Sequence, residues 1–72
     1  TEIHYFPLQL EKKEWLRYYK GEATNILVKT TSGLKISVPA RHFHRFTSPQ
    51  GLYGFFQITL KGNRMIALKE IS

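Results

Sequence analysis

The 72-residue chain contains no cysteine. Without thiols it can build neither a disulfide framework nor a thiolate zinc site, which suits a reducing compartment. Aspartate is missing as well, so the only side-chain acids are five Glu, set against eleven Lys and Arg for a net charge of +6. No apolar run approaches the roughly 20 residues needed to span a bilayer, and no membrane insertion is expected. The opening Thr1-Glu2-Ile3-His4-Tyr5 has neither a charged n-region nor an apolar h-region. No signal peptide is therefore expected, and a cytoplasmic location is. The chain also lacks a Gly-rich phosphate loop and a Gly-x-Ser-x-Gly elbow, the local signatures of nucleotide and acyl chemistry.

What is present fits one small domain. Hydrophobic residues make up 42% of the chain, enough for a packed core. A domain of this length buries only about 60% of its unfolded surface, so the core is thin. The cationic excess favours polyanions such as nucleic acid.

Periodicity predicts an α+β fold. It has about five strands in the order β-α-β-β-β-β, a mostly antiparallel sheet and one short helix packed on it; curling into a partial barrel is the alternative arrangement. Ile3 to Leu10 alternates, with Phe6, Leu8 and Leu10 inward, and Pro7 assigns this strand to an edge. Glu11 to Lys20 reads as a helix with a stripe of Trp15, Leu16 and Tyr19 and with Tyr18 off the stripe, closed by Gly21. Thr24 to Thr31 and Leu34 to Val38 form a hairpin around Thr31-Ser32-Gly33. Ala40, Phe43 and Phe46 recur every three residues, which predicts a short helical or 3₁₀ segment docked by its rings, with Arg41, His42, His44 and Arg45 outward. Leu52 to Leu60 is the strongest strand, and Gly54 within it predicts a bulge or a close backbone approach. After a turn at Lys61-Gly62-Asn63-Arg64, Met65 to Ile71 pairs back with Ile66 and Leu68 inward.

The strand from Leu52 to Leu60 also carries the main functional signal. Leu52, Phe56, Ile58 and Leu60 share one face; Tyr53, Phe55, Gln57 and Thr59 share the other. Two rings on an outward face suit either base stacking or self-association. If neighbouring strands join that sheet, Lys29, Lys35 and Lys69 fall on the ring face, and Arg41, Arg45, Lys61 and Arg64 line its ends. The candidate site is therefore Lys29, Lys35, Arg41, Arg45, Tyr53, Phe55 and Arg64, binding single-stranded RNA or DNA weakly. The alternative is a homodimer or protein-interaction seam using Leu27, Tyr53 and Phe55. In a small β domain the competing structural reading is burial of Phe55 and Leu27 under a second layer.

Catalysis is not expected. The His42-x-His44 pair is the one metal-like spacing, but three or four ligands are needed and no Cys or Asp completes the set. Arg41 and Arg45 would repel a cation there, and a helical turn would splay the two imidazoles. No cofactor and no metal are expected.

Three ordered segments carry a family resemblance: Leu16-Arg17-Tyr18-Tyr19-Lys20-Gly21, then Pro39-Ala40-Arg41 followed by Phe46, then Gly51-Leu52-Tyr53-Gly54-Phe55-Phe56. Together they resemble the domain of unknown function 2835 family of short, stand-alone bacterial proteins. The resemblance implies a small cytoplasmic bacterial protein and brings no activity, cofactor or catalytic residue. The family tends to open its helix with a Ser or Thr cap, whereas Leu10-Glu11 offers none.

Overall fold

A computed structural model of the protein describes residues 1–62 and 64–72. The elements run β1 (Glu2–Glu11), α1 (Lys12–Tyr19), β2 (Asn25–Lys29), β3 (Lys35–Pro39), a 3₁₀ segment (Ala40–Phe46), β4 (Gly51–Lys61) and β5 (Arg64–Glu70). The architecture is α+β and all strand pairing is antiparallel. The expected turn after β4 includes Asn63, which lies outside the described residues.

The strands do not form one sheet. β1, β4 and β5 make a three-stranded sheet in the order β1-β4-β5, and β2 and β3 make a separate hairpin. The two layers share one core and do not close into a barrel. From the sheet the core takes Phe6, Leu8, Leu52, Phe56, Ile58 and Leu68; from the hairpin it takes Ile26, Val28 and Val38. Each hairpin strand alternates, with a single apolar face, and buries that face against the sheet. Thr31 at the hairpin turn donates its N–H to the Tyr5 carbonyl at 2.8 Å, which ties the hairpin to the outer edge of β1.

α1 and the 3₁₀ segment complete the core with Trp15, Ala40 and Phe43. Phe56 is the hub, with its ring 5.6 Å from Phe6, 5.5 Å from Phe43 and 5.3 Å from Phe46. α1 starts without a side-chain cap, as Leu10-Glu11 foreshadows. The apolar stripe of α1 differs from the expected one. Tyr18 is half-buried and stacks on Trp15 at 6.2 Å, whereas Tyr19 is 65% exposed. The i, i+3 spacing from Trp15 keeps Tyr18 over the core, and a helix of two turns leaves Tyr19 beyond it.

β5 corrects another expectation. Its register slips between Thr59 and Leu60, so that Leu60 faces Met65 and Thr59 faces Ala67. Ile66 is the extra residue and stands 52% exposed. The bulge shifts the alternation by one, and Met65 rather than Ile66 packs against the core with Leu68. At Gly54 the pairing with Leu8 is regular, so no bulge sits there. The close neighbours are side chains rather than backbone: a Cβ on Gly54 would lie 3.2 Å from the Phe56 ring and 2.8 Å from a Glu70 carboxylate oxygen.

Candidate nucleic-acid interface

The outer face of the β1-β4-β5 sheet is left bare. In β4, Tyr53, Phe55, Gln57 and Thr59 alternate with the buried Leu52, Phe56 and Ile58. In β1 the phase opposite Phe6 and Leu8 carries Ile3, Tyr5, Pro7 and Gln9. The register sets Gln9 across from Tyr53, Pro7 from Phe55 and Tyr5 from Gln57. Tyr5 thus sits diagonally from Phe55, and their rings lie nearly parallel, 6.2 Å apart with 7° between planes. Tyr5 and Tyr53 are 39% and 42% exposed. Phe55 is half-buried but stands outside the core cluster.

Tyr5 is the residue that the sequence reading missed. Its signal was the alternation of β1: once Phe6 and Leu8 turn inward, Tyr5 must turn outward. What singles it out is the pairing of β1 with β4, a contact between opposite ends of the chain.

The cations on this face come from the β4–β5 hairpin. Lys69 lies opposite Gln57, and Arg64 lies opposite Lys61, in the same phase as the rings. Lys29 and Lys35 do not join them. They face each other across the β2–β3 pair and are exposed on the hairpin's outer surface, across the core from the rings. Leu27 shares their phase and is 65% exposed there, so it is neither buried under a second layer nor part of the ring face. The expectation that these three share one surface with Tyr53 and Phe55 rested on a single sheet; two layers separate them.

The 3₁₀ segment disposes its polar residues around its axis. Arg41 is exposed. Arg45 Nη2 donates to the Leu68 carbonyl at 2.6 Å, and its guanidinium lies 4.7 Å from the centre of the Phe46 ring. This arginine is held by the fold and covers the outer edge of β5. Arg45→Ala is therefore expected to lower stability by about 1–2 kcal/mol through loss of a charge-assisted hydrogen bond. Urea denaturation checks the cost, and faster amide exchange in β5 locates it.

His42 and His44 are splayed by the turn. His42 is half-buried near Met65, whereas His44 is exposed, stacked on Tyr19 at 5.4 Å and edge-on to Trp15 at 5.3 Å. No group of three or more His, Cys, Asp or Glu among the described residues is placed to hold a metal ion. No helix among them is long and apolar enough to cross a membrane. The one acid–base contact within ion-pair distance among the described residues is His4 Nε2 to Glu2 Oε1 at 3.7 Å. The lysines and arginines are thus not neutralised by neighbouring glutamates.

The family model described as "Protein of unknown function (DUF2835)" matches residues 2–71, nearly the whole chain. Comparison with curated proteins and with solved structures finds no match.

Proposed function

We propose that this chain, which belongs to the DUF2835 family, is a non-catalytic cytoplasmic module that binds single-stranded nucleic acid on the outer face of its three-stranded sheet. Tyr5, Tyr53 and Phe55 provide the stacking surface; Lys61, Arg64 and Lys69 meet phosphates. The observation that carries the reading is the parallel Tyr5–Phe55 pair on an uncovered sheet face, bordered by cations that, among the described residues, have no carboxylate at ion-pair distance. Rings on a sheet surface accept any base, because every base has a π-face, and the cations add a sequence-independent attraction. Arg41 adds long-range attraction from the 3₁₀ segment; Lys29 and Lys35 act only through the net charge.

The test is an amide chemical-shift titration with an oligothymidylate at several salt concentrations. Shifts are expected at Tyr5, Tyr53, Phe55 and Lys69. Three phosphate contacts on a single strand give a slope of about −2 in log K against log salt. Phe55→Ala and Tyr53→Ala should each weaken binding by about five- to 150-fold, in line with about 1–3 kcal/mol per stacked base. Because Phe55 is only half-buried, its loss should cost about 1–2 kcal/mol of stability and leave the domain folded. An oligonucleotide that leaves the ring face unperturbed at low salt rules the reading out.

A second reading has its own observation. Ile3 is 52% and Ile71 45% exposed. Ile71 pairs through its N–H with the Phe55 carbonyl, which extends the ring face into an apolar stripe suited to a second copy of the chain. The net charge of +6 on each copy opposes that association. Solution mass distinguishes the two: the nucleic-acid reading requires a monomer with free rings, and the seam requires a dimer that buries them.

A further inference from the structure

The backbone of β3 has an uncovered edge. Antiparallel pairing alternates residues whose N–H and C=O face the partner strand with residues whose groups face away. Thr30 N–H donates to the Leu34 carbonyl, and Ala40 N–H to the Thr24 carbonyl, both at 2.8 Å. Between these pairs the register is Val28↔Ile36 and Ile26↔Val38, so the backbone groups of Lys35 and Ser37 point away from β2. Two of the other sheet edges are guarded. On β1, Thr31 binds the outward Tyr5 carbonyl, and Pro7, in the same phase, has no N–H to offer. On β5, Arg45 binds the outward Leu68 carbonyl. Among the described residues, no backbone hydrogen bond reaches the outward groups of Lys35 and Ser37.

This edge borders a groove of about 640 Å³, and the consecutive residues from Leu34 to Pro39 line it. Strand side chains alternate between faces, so an unbroken run along one wall means that the backbone edge itself is the wall. Ile58 and Leu60 of β4 and Met65 of β5 supply an apolar floor. His42 and Met65 are shared with a second groove against β5, which Arg41 and Arg45 also line. Across both grooves the cations are Lys35, Arg41 and Arg45, and the one carboxylate is that of Glu2.

We propose that this groove takes an extended, acidic peptide segment of a partner protein, added to β3 as a third strand of the hairpin. The peptide backbone pairs with the N–H and C=O of Lys35 and Ser37. Its apolar side chains, every second residue, point down onto Leu60 and Met65, and its acidic ones meet Lys35 and Arg41. No Phe, Tyr or Trp lines the groove, and the half-buried His42 is its one ring, so it offers little for a base to stack on. A second copy of the chain would bring six further positive charges to a basic wall. The site is separate from the ring face and does not depend on its function.

The test uses a library of capped heptapeptides that alternate Glu with Val, Ile, Leu or Phe, titrated into the isotope-labelled protein. Saturable shifts are expected at the Lys35 and Ser37 amides and the Met65 methyl, with the best members binding more tightly than about 1 mM. N-methylating the best peptide on the edge that faces β3 should abolish binding, whereas N-methylating its other edge should not. This contrast leaves the protein unaltered, so misfolding cannot produce it. Replacing Glu by Lys in the peptide, or Lys35→Glu in the protein, should weaken binding by about fivefold, the scale of one partly exposed ion pair. The proposal is overturned if no library member moves the Lys35 and Ser37 amides, if both N-methylated peptides bind equally, or if an oligothymidylate perturbs this groove and the peptides do not.

Discussion

Gly51→Ala is expected to abolish the native fold, although it adds one methyl group to a residue at the start of a strand. Gly51 sits opposite Glu11 where β1 passes into α1, and its φ is +130°. That region is essentially closed to residues with a Cβ and costs about 1–3 kcal/mol by itself. The new methyl would also run into the Leu10 carbonyl oxygen and lie 2.8 Å from both the Glu11 carbonyl carbon and the Lys12 nitrogen. All three neighbours are backbone and cannot rotate away. The same corner is fixed by Lys12 N–H donating to the Gln50 carbonyl at 3.0 Å and by reciprocal bonds between Ser48 and Gly51. Relief therefore means separating β1 from β4. A domain of this length has about 4–11 kcal/mol of stability in total, and strain plus clash should remove most of it. Gly33→Ala is the control. Its φ is +91° but nothing lies within 4 Å of the added methyl, so the cost should be about 1–2 kcal/mol. Thermal melts of the two variants check the contrast: Gly33→Ala should retain a cooperative transition, and Gly51→Ala should show little or none.

Phe56→Ala should be comparably severe by a different route. Phe56 is fully buried, and its ring meets Phe6, Phe43 and Phe46, which belong to β1 and the 3₁₀ segment. Truncation removes the hub and leaves a cavity that the rigid sheet cannot fill, at about 3–5 kcal/mol. Phe56→Leu retains most of the volume and should remain folded. The neighbouring Phe55→Ala should affect ligand binding far more than folding. Urea titrations of Phe55→Ala and Phe56→Ala, run side by side, measure directly which way each ring faces.

The local parts of this fold were readable because each rests on a short period. Alternation in β4 separates Phe55 from Phe56, and the three-residue recurrence of Ala40, Phe43 and Phe46 identifies the docked 3₁₀ turn. Features that depend on how the elements meet were not readable. Nothing local in β2 or β3 says that their apolar face covers a separate sheet, and that single fact removes Lys29, Lys35 and Leu27 from the ring face. Ile66 looked inward because alternation from Leu68 counts back to it; the bulge that reverses the phase is a property of the pairing with β4. Arg45 looked like a free phosphate contact because its partner, the Leu68 carbonyl, is a backbone atom 23 positions away. Tyr5 entered the candidate site only through the β1–β4 pairing.

That pairing also sets an order of events in folding. β1 is bonded to β4 along its length, from Glu11↔Gly51 to Glu2↔Leu60, so its contacts close loops of 40 to 58 residues. The β2–β3 and β4–β5 hairpins close loops of a few residues and can form on their own within microseconds. The Phe6–Phe56 contact, by contrast, waits on the most distant strand contact in the domain, and its loop-closure entropy must be met before any of its packing is gained. During synthesis, β1 has no ladder partner until α1, both strands of the β2–β3 hairpin and the 3₁₀ segment have followed it. Pro7 then serves a second purpose, keeping a solitary apolar strand from pairing with the wrong neighbour while it waits.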